Sequence, residues 1–198
     1  MKQAHDCVGI LLAAGRSRRF GSDKLLHLLP DGKPVALASA QMLHASLRRI
    51  VAVVRPDNAA LIALFLEHGI EVVLAKHADS GMGTSLAAGV AATAQASDWL
   101  VALADMPFIR PQTISLVSNA LERGAGLAAP NYQGQRGHPV GFSELYRESL
   151  LNLNGHEAAR SLLQQYANEL TLIECNDPGV LTDIDYKEDL SPRIFTNV

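Results

Sequence analysis

The sequence predicts an α/β fold, a doubly wound, mostly parallel sheet with helices on both faces. Three observations predict it. Strand-like and helix-like runs alternate through the first two thirds of the chain, the order that builds a parallel sheet. The strand-like runs are nearly continuously apolar, as parallel strands covered on both faces must be. The stretches of unusual composition, AAGRSRRFGSDK, ADSGMGTS and ADMPF, fall where those runs end. Ligands bind in sheets of this kind at the carboxyl ends of the strands.

The elements follow in order. CVGILLAAG (7–15) reads as a buried strand, and 33–46 as a helix with Pro34 in its first turn. Residues 48–56 form a second strand. The helix over 58–69 has Asn58 as N-cap and Gly69 as its stop. A third strand spans 70–76, a helix 84–95, and a fourth strand 98–107. The helix over 111–124 ends in glycine, and 126–132 is again a strand. NYQGQRGHPVGF suits a turn or hairpin. A helix (156–167), a strand (169–176) and a closing segment (179–190) complete the chain. With no linker, repeat or low-complexity tract, residues 1–198 read as a single domain with an elaboration around 132–170.

Composition narrows the function. Hydrophobic residues make up 48% and charged residues 19%, enough for a core without disulfides. Cys7 and Cys175 are too few for a disulfide framework and read as reduced thiols. A net charge of −3 gives no global attraction to nucleic acid or to a membrane surface. The polar N-terminus does not read as a signal peptide, and no apolar run is long enough to span a bilayer. The expected location is cytoplasmic.

The basic residues of the first loop matter as a local concentration. It leaves an uncharged strand and at once presents Arg16, Arg18, Arg19 and Lys24. Gly15 and Gly21 permit tight turns with exposed N–H groups. Arginine forks and a lysine point charge suit phosphate oxygens. The loop is neither a P-loop nor the G-x-G-x-x-G dinucleotide fingerprint.

LAAGRSRRFGSDKLL resembles the L-A-(A/G)-G-x-x-x-R-x-G-x-x-K signature of the MobA-like nucleotidyltransferases. The resemblance runs from about residue 10 to 190, and it implies a Rossmann-like nucleotidyltransferase fold. Such enzymes join a nucleoside monophosphate from an NTP to a phosphorylated acceptor and release pyrophosphate. On the matching motif, Arg19 and Lys24 would hold the triphosphate, and Leu12, Ala13, Ala14 and Gly15 would run along the nucleotide. SGMGTSLAAG matches the segment enclosing the base, which implies contacts from Gly81, Met82, Thr84 and Ser85. LADMP matches an acidic motif in which Asp105 would bind Mg²⁺, or Mn²⁺ in its place.

RGHPVGF and VLTDIDYKEDL match the branch that acts on molybdenum cofactor with CTP. That branch implies acceptor binding by Arg136, Gly137, His138 and Arg160, within the 132–170 elaboration. Its partners would be CTP, a molybdopterin-type acceptor, and an apo-molybdoenzyme or its chaperone. Ala13-Ala14 stands where the guanylyl branch has A-G, and the added methyl narrows the space beside the base. The chain departs from the branch's G-D-x-G-A-R, having Gly155-His156-Glu157-Ala158-Ala159-Arg160. The remaining histidines, His5, His27, His44, His68, His77 and His156, show no metal spacing.

The chemistry fits these residue types. A phosphate nucleophile is already an anion, so positioning and charge stabilisation carry the catalysis. Asp183 and Asp185, two apart, face one side if extended, and Asp185 is expected to complete the metal site. The alternatives are guanylyl transfer to the same cofactor, nucleotidyl transfer to a sugar phosphate, and a redox or carrier protein on the same fold.

Overall fold

β1 (Cys7–Leu12) runs through the middle of an eight-stranded sheet. β2 (Arg49–Val54) and β4 (Asp98–Leu103) flank it in parallel, and β3 (Glu71–Leu74) lies beyond β2. The computed structural model describes residues 6–17, 19–155 and 158–190. Arg18, His156, Glu157 and His5 lie outside the described residues.

Helices cover both faces. α1 (Val35–His44), α2 (Ala59–Glu67) and α4 (Pro111–Glu122) pack on one. α3 (Met82–Ala92), α5 (Arg147–Leu151) and α6 (Ala158–Gln165) lie with the other. β1 serves both cores by alternation: Cys7 and Leu11 enter the first, Val8 and Ile10 the second. α3 meets β1 and β2 at Gly89, where the missing side chain leaves room for Ile10 and Val53. A Cβ there would stand 2.9 Å from Ile10 Cγ2 and 3.0 Å from Val53 Cγ2.

Several expected bounds shift by a few residues and others hold. β1 stops at Leu12, although Ala13 N still donates to Val53 O at 2.9 Å. Pro34 is the N-cap of α1 and lies just before its first turn. Asn58 caps α2 by accepting from Leu61 N at 3.2 Å. α3 begins at Met82, earlier than the expected Thr84, so 81–85 is the entry of a helix. Gly81 turns the chain with φ of 128°, and the Thr84 hydroxyl donates to Gly81 O (2.7 Å) and His77 O (2.8 Å).

The C-terminal third changes the sheet most. β5 (Leu127–Tyr132) and β6 (Gln135–Arg136) form the expected hairpin, turning at Gln133 and Gly134 with φ of 51° and 78°. The segment after it yields a strand that the sequence reading did not separate, β7 (Val140–Ser143). β7 inserts between β4 and β5, antiparallel to both. β8 (Leu170–Glu174) pairs in parallel with β5. The sheet is therefore mostly parallel, with two strands reversed.

A turn over Pro178–Leu181 follows β8 and aims the chain back at the sheet. Asp177, 2% exposed, anchors it by accepting from Gly179 N (3.0 Å), Arg110 N (2.9 Å) and the Thr113 hydroxyl (2.7 Å). A Cβ on Gly179 would fall 2.1 Å from Phe108 O. That obstacle is backbone and cannot rotate away. Gly179→Ala is expected to lose about 1–3 kcal/mol of stability by urea unfolding. An unchanged urea midpoint would mean that the turn is free to shift.

Among the described residues, no helix is long and apolar enough to cross a membrane. Both cysteines are free; Cys7 is buried, which pushes its thiol up to about 12, and Cys175 is half-buried.

Candidate active site

Parallel register decides where the loops converge. Leu12 pairs with Val53 on one side and Leu103 on the other, so β1, β2 and β4 end level. Above these ends lies a cleft of about 830 Å³, within the range of about 300–1,000 Å³ for small-molecule sites.

The first loop is pinned at several points. Asp23 caps a short 3-10 turn, Lys24–Leu26, by accepting from Leu25 N at 3.1 Å, and its other oxygen accepts from Asn58 at 2.6 Å. Lys24 N donates to Ser17 Oγ at 3.3 Å. Phe20, 4% exposed, stands edge-on to His27, with centroids 5.3 Å apart. Lys24 is thereby delivered inward with its side chain only 11% exposed.

Lys24 Nζ lies 2.7 Å from Asp105 Oδ2 and 2.9 Å from Asp185 Oδ1, and Arg19 reaches Asp185 Oδ2 at 2.6 Å. Burial opposes the charge on Lys24, but the two carboxylates outweigh it and hold its pKa above the ordinary value. Asp105 follows β4, and its backbone O accepts from Ile184 N at 2.9 Å. Ile184 is fully buried between Asp183 and Asp185, so both carboxylates turn toward Asp105. Oxygens of Asp105, Asp183 and Asp185 lie within 4.8 Å of one another. Burial, then the charges of Asp185 and Asp105, raises the pKa of Asp183. Asp105 Oδ1 is buried without a hydrogen-bond partner. A hard-oxygen set with one unsatisfied buried oxygen fits a divalent cation such as Mg²⁺ or Mn²⁺.

Of the expected nucleotide contacts, Leu12, Ala14, Gly15, Arg19, Lys24, Gly81, Met82 and Ser85 line the cleft together with Asp105 and Asp185. Two differ. Ala13 is 2% exposed, and its side chain belongs to the core behind the wall. The Thr84 hydroxyl is spent on the backbone of its own turn.

Sequence reasoning missed Asp79. Its carboxylate accepts from Arg16 Nε and Nη2, both at 2.7 Å, bridging the first loop to the turn before α3. Both residues line the cleft. The signal was present in ADSGMGTS, but nothing local pairs two residues 63 positions apart.

Arg136, Gly137, His138 and Arg160 lie outside this lining. His138 is tied to it through backbone: its N donates to Val180 O at 3.0 Å, in the turn that leads to Asp183. Arg136 is exposed overall, yet its guanidinium is pushed down, first by partial burial of the head group and second by the charge of Arg160.

His138 Nδ1 is buried without a partner. Burial, with the charge of Arg136 second, lowers its pKa to about 4. The unfolded chain takes up this proton near pH 6.5 and the folded chain does not. Stability should therefore fall as pH drops from 6.5 towards 4. His138→Gln is expected to lose less stability than wild type between pH 7 and 5 in urea titrations. Equal losses would remove His138 as a source of acid sensitivity.

A loop of fixed basic residues faces carboxylates at the strand ends of this sheet, an arrangement that suits a nucleoside triphosphate held with a divalent ion. The sequence profile of the MobA-like NTP transferase domain matches residues 9–170. The chain belongs to that family. It is 30% identical to nicotine blue oxidoreductase of Paenarthrobacter nicotinovorans, over 93% of this chain and 95% of that protein. It is 28% identical to purine catabolism protein PucB of Bacillus subtilis, over 92% and 93%. A probable molybdenum cofactor guanylyltransferase of Thermococcus gammatolerans is 29% identical over 72% and 73%. The fold is shared with Rv0371c of Mycobacterium tuberculosis, with a TM-score of 0.81 at 23% identity over 94% of this chain and 96% of that one. It is shared equally with the manganese complex of that protein, with a TM-score of 0.78 at 22% identity over 98% and 100%.

Proposed function

We propose that the chain transfers CMP from CTP to the terminal phosphate of a molybdopterin-type acceptor. The observation that carries this reading is the Lys24–Arg19–Asp105–Asp185 cluster at the ends of β1 and β4. It holds what phosphoryl chemistry needs: cations for a triphosphate beside carboxylates for a divalent ion. An acceptor phosphate oxygen forms a bond to the α-phosphorus, the bond to the β-phosphate oxygen breaks, and pyrophosphate leaves.

Lys24 and Arg19 draw the triphosphate's charge toward the loop and stabilise the leaving pyrophosphate. Asp105 and Asp185, joined by Asp183, would hold Mg²⁺ or Mn²⁺, which when bound neutralises phosphate charge. Leu12, Ala14, Gly15, Gly81, Met82 and Ser85 shape the place of the nucleoside. Arg136, Gly137, His138 and Arg160 are assigned to the acceptor side. An apo-molybdoenzyme or its chaperone would receive the product, in the cytoplasm.

The molybdenum cofactor is supported by the resemblance of RGHPVGF and by relatives named for it, which are guanylyltransferases. CTP is supported by Ala14, whose methyl lies in the cleft wall. Wild type is expected to use CTP far better than GTP, and Ala14→Gly to relieve part of that preference. The ratio of kcat/KM for the two nucleotides checks this. A preference for GTP in wild type would overturn the cytidylyl assignment.

The relative named as an oxidoreductase, aligned over nearly the whole chain, favours a second reading: a redox protein that reuses this cleft. Pyrophosphate release separates the two. With molybdenum cofactor and each of the four NTPs in turn, release with CTP is the expected result. No release with any NTP would sink the transferase reading.

A further inference from the structure

We propose that Lys24 and Arg19 compete with the divalent cation for Asp105 and Asp185, so that metal entry hands both basic residues over to the triphosphate. The proposal rests on the metal and nucleotide roles given above and adds a coupling between them.

The geometry leaves little room for both occupants. Asp185 has each oxygen engaged, Oδ1 by Lys24 at 2.9 Å and Oδ2 by Arg19 at 2.6 Å. Asp105 gives Oδ2 to Lys24 at 2.7 Å and keeps only Oδ1 without a partner. A divalent ion seeks the same lone pairs and the same short approach. Chelation by both carboxylates therefore displaces Lys24 from between them. A lysine can make that move, because its charge is a single point on a flexible stem.

Charge sets the direction. Asp105, Asp183 and Asp185 against Lys24 and Arg19 leave the cluster with one net negative charge. A polyphosphate meets repulsion there, and its best cations are already occupied. A bound divalent ion turns the same cluster to one net positive charge and frees two donors. Metal and triphosphate then help each other, and by linkage each raises the other's affinity by the same factor. The coupling belongs to the protein and adds to any chelation of metal by nucleotide in solution.

Removing the competing ammonium should strengthen metal binding, and the share of nucleotide coupling that disappears with it separates displacement from simple charge repulsion. The measurement is Mn²⁺ alone titrated into the full chain, with free Mn²⁺ read by electron paramagnetic resonance. Lys24→Met is expected to bind Mn²⁺ about tenfold more tightly than wild type, the scale of one charge-assisted contact. Arg19→Gln, at an exposed position, should tighten it by a smaller factor. It keeps the test open if Lys24→Met does not fold. Lys24→Arg, which retains the charge, should remain near wild type. A nonhydrolysable CTP analogue should tighten Mn²⁺ by a larger factor in wild type than in Lys24→Met. Unchanged or weaker Mn²⁺ affinity in Lys24→Met and Arg19→Gln overturns the competition, as do equal analogue factors. Asp105→Asn should abolish the Mn²⁺ site in every background. Binding that survives Asp105→Asn overturns the metal assignment itself, a different failure from the first.

Discussion

Asp105→Ala should yield a folded protein whose turnover is about a thousandfold lower. The side chain contributes little to the core. It follows the last residues of β4, and its backbone contact to Ile184 survives the substitution. What disappears is the carboxylate that faces both Lys24 and the two aspartates of the closing segment. Lys24 keeps Asp185 as a partner, so the loop stays anchored. Circular dichroism and a thermal melt establish the fold, and pyrophosphate release measures turnover. Near-normal turnover in a folded variant would remove Asp105 from the chemistry.

Lys24→Ala should lower kcat/KM for the nucleotide by about 10- to 150-fold, the equivalent of about 1.5–3 kcal/mol for one hydrogen bond to a charged group. Both KM and kcat should suffer, since the ammonium meets triphosphate oxygens before and during transfer. Arg19→Lys should also impair the enzyme, because a point charge does not replace a planar fork. Arg19 is 65% exposed along its side chain, so the smaller loss is expected there. Unchanged kinetics in both variants would return these residues to the role of a solvated surface.

The sheet's parallel half was legible because its strands are uniformly apolar and its helices begin at recognisable caps, such as Asn58. Asp183 and Asp185 could be placed on one side from their spacing alone, and Ile184, fully buried between them, is the physical reason. β7 was hidden because four residues, one of them glycine, follow a Gly-His-Pro turn and look like more of the same loop. Gly141 lets α4 pack close there: a Cβ would lie 2.8 Å from Leu121 Cδ1, so the leucine would have to shift. The entry of α3 was hidden in the same way, since Gly81 and Gly83 disguise a helix start as a loop. Arg16 and Asp79 each lie in a segment singled out by composition, but neither segment points to the other, because only the folded sheet brings the two loops together. The acceptor-side residues were read from a motif, and a motif carries no information on how far its residues stand from the cleft lining.

The position of β7 bears on how the protein is made. β4 is complete at Leu103, yet the strand that pairs with its outer side ends only at Ser143. During synthesis, forty residues must leave the ribosome before that edge is covered, or several seconds at about 5–20 residues per second. Throughout that interval the nascent chain carries an apolar strand with an open hydrogen-bonding side, a template for pairing with another chain. Fragments that end after β4 but before residue 140 inherit the same open edge permanently. They should aggregate, even though they contain β1, β2, β4 and the whole of the first loop.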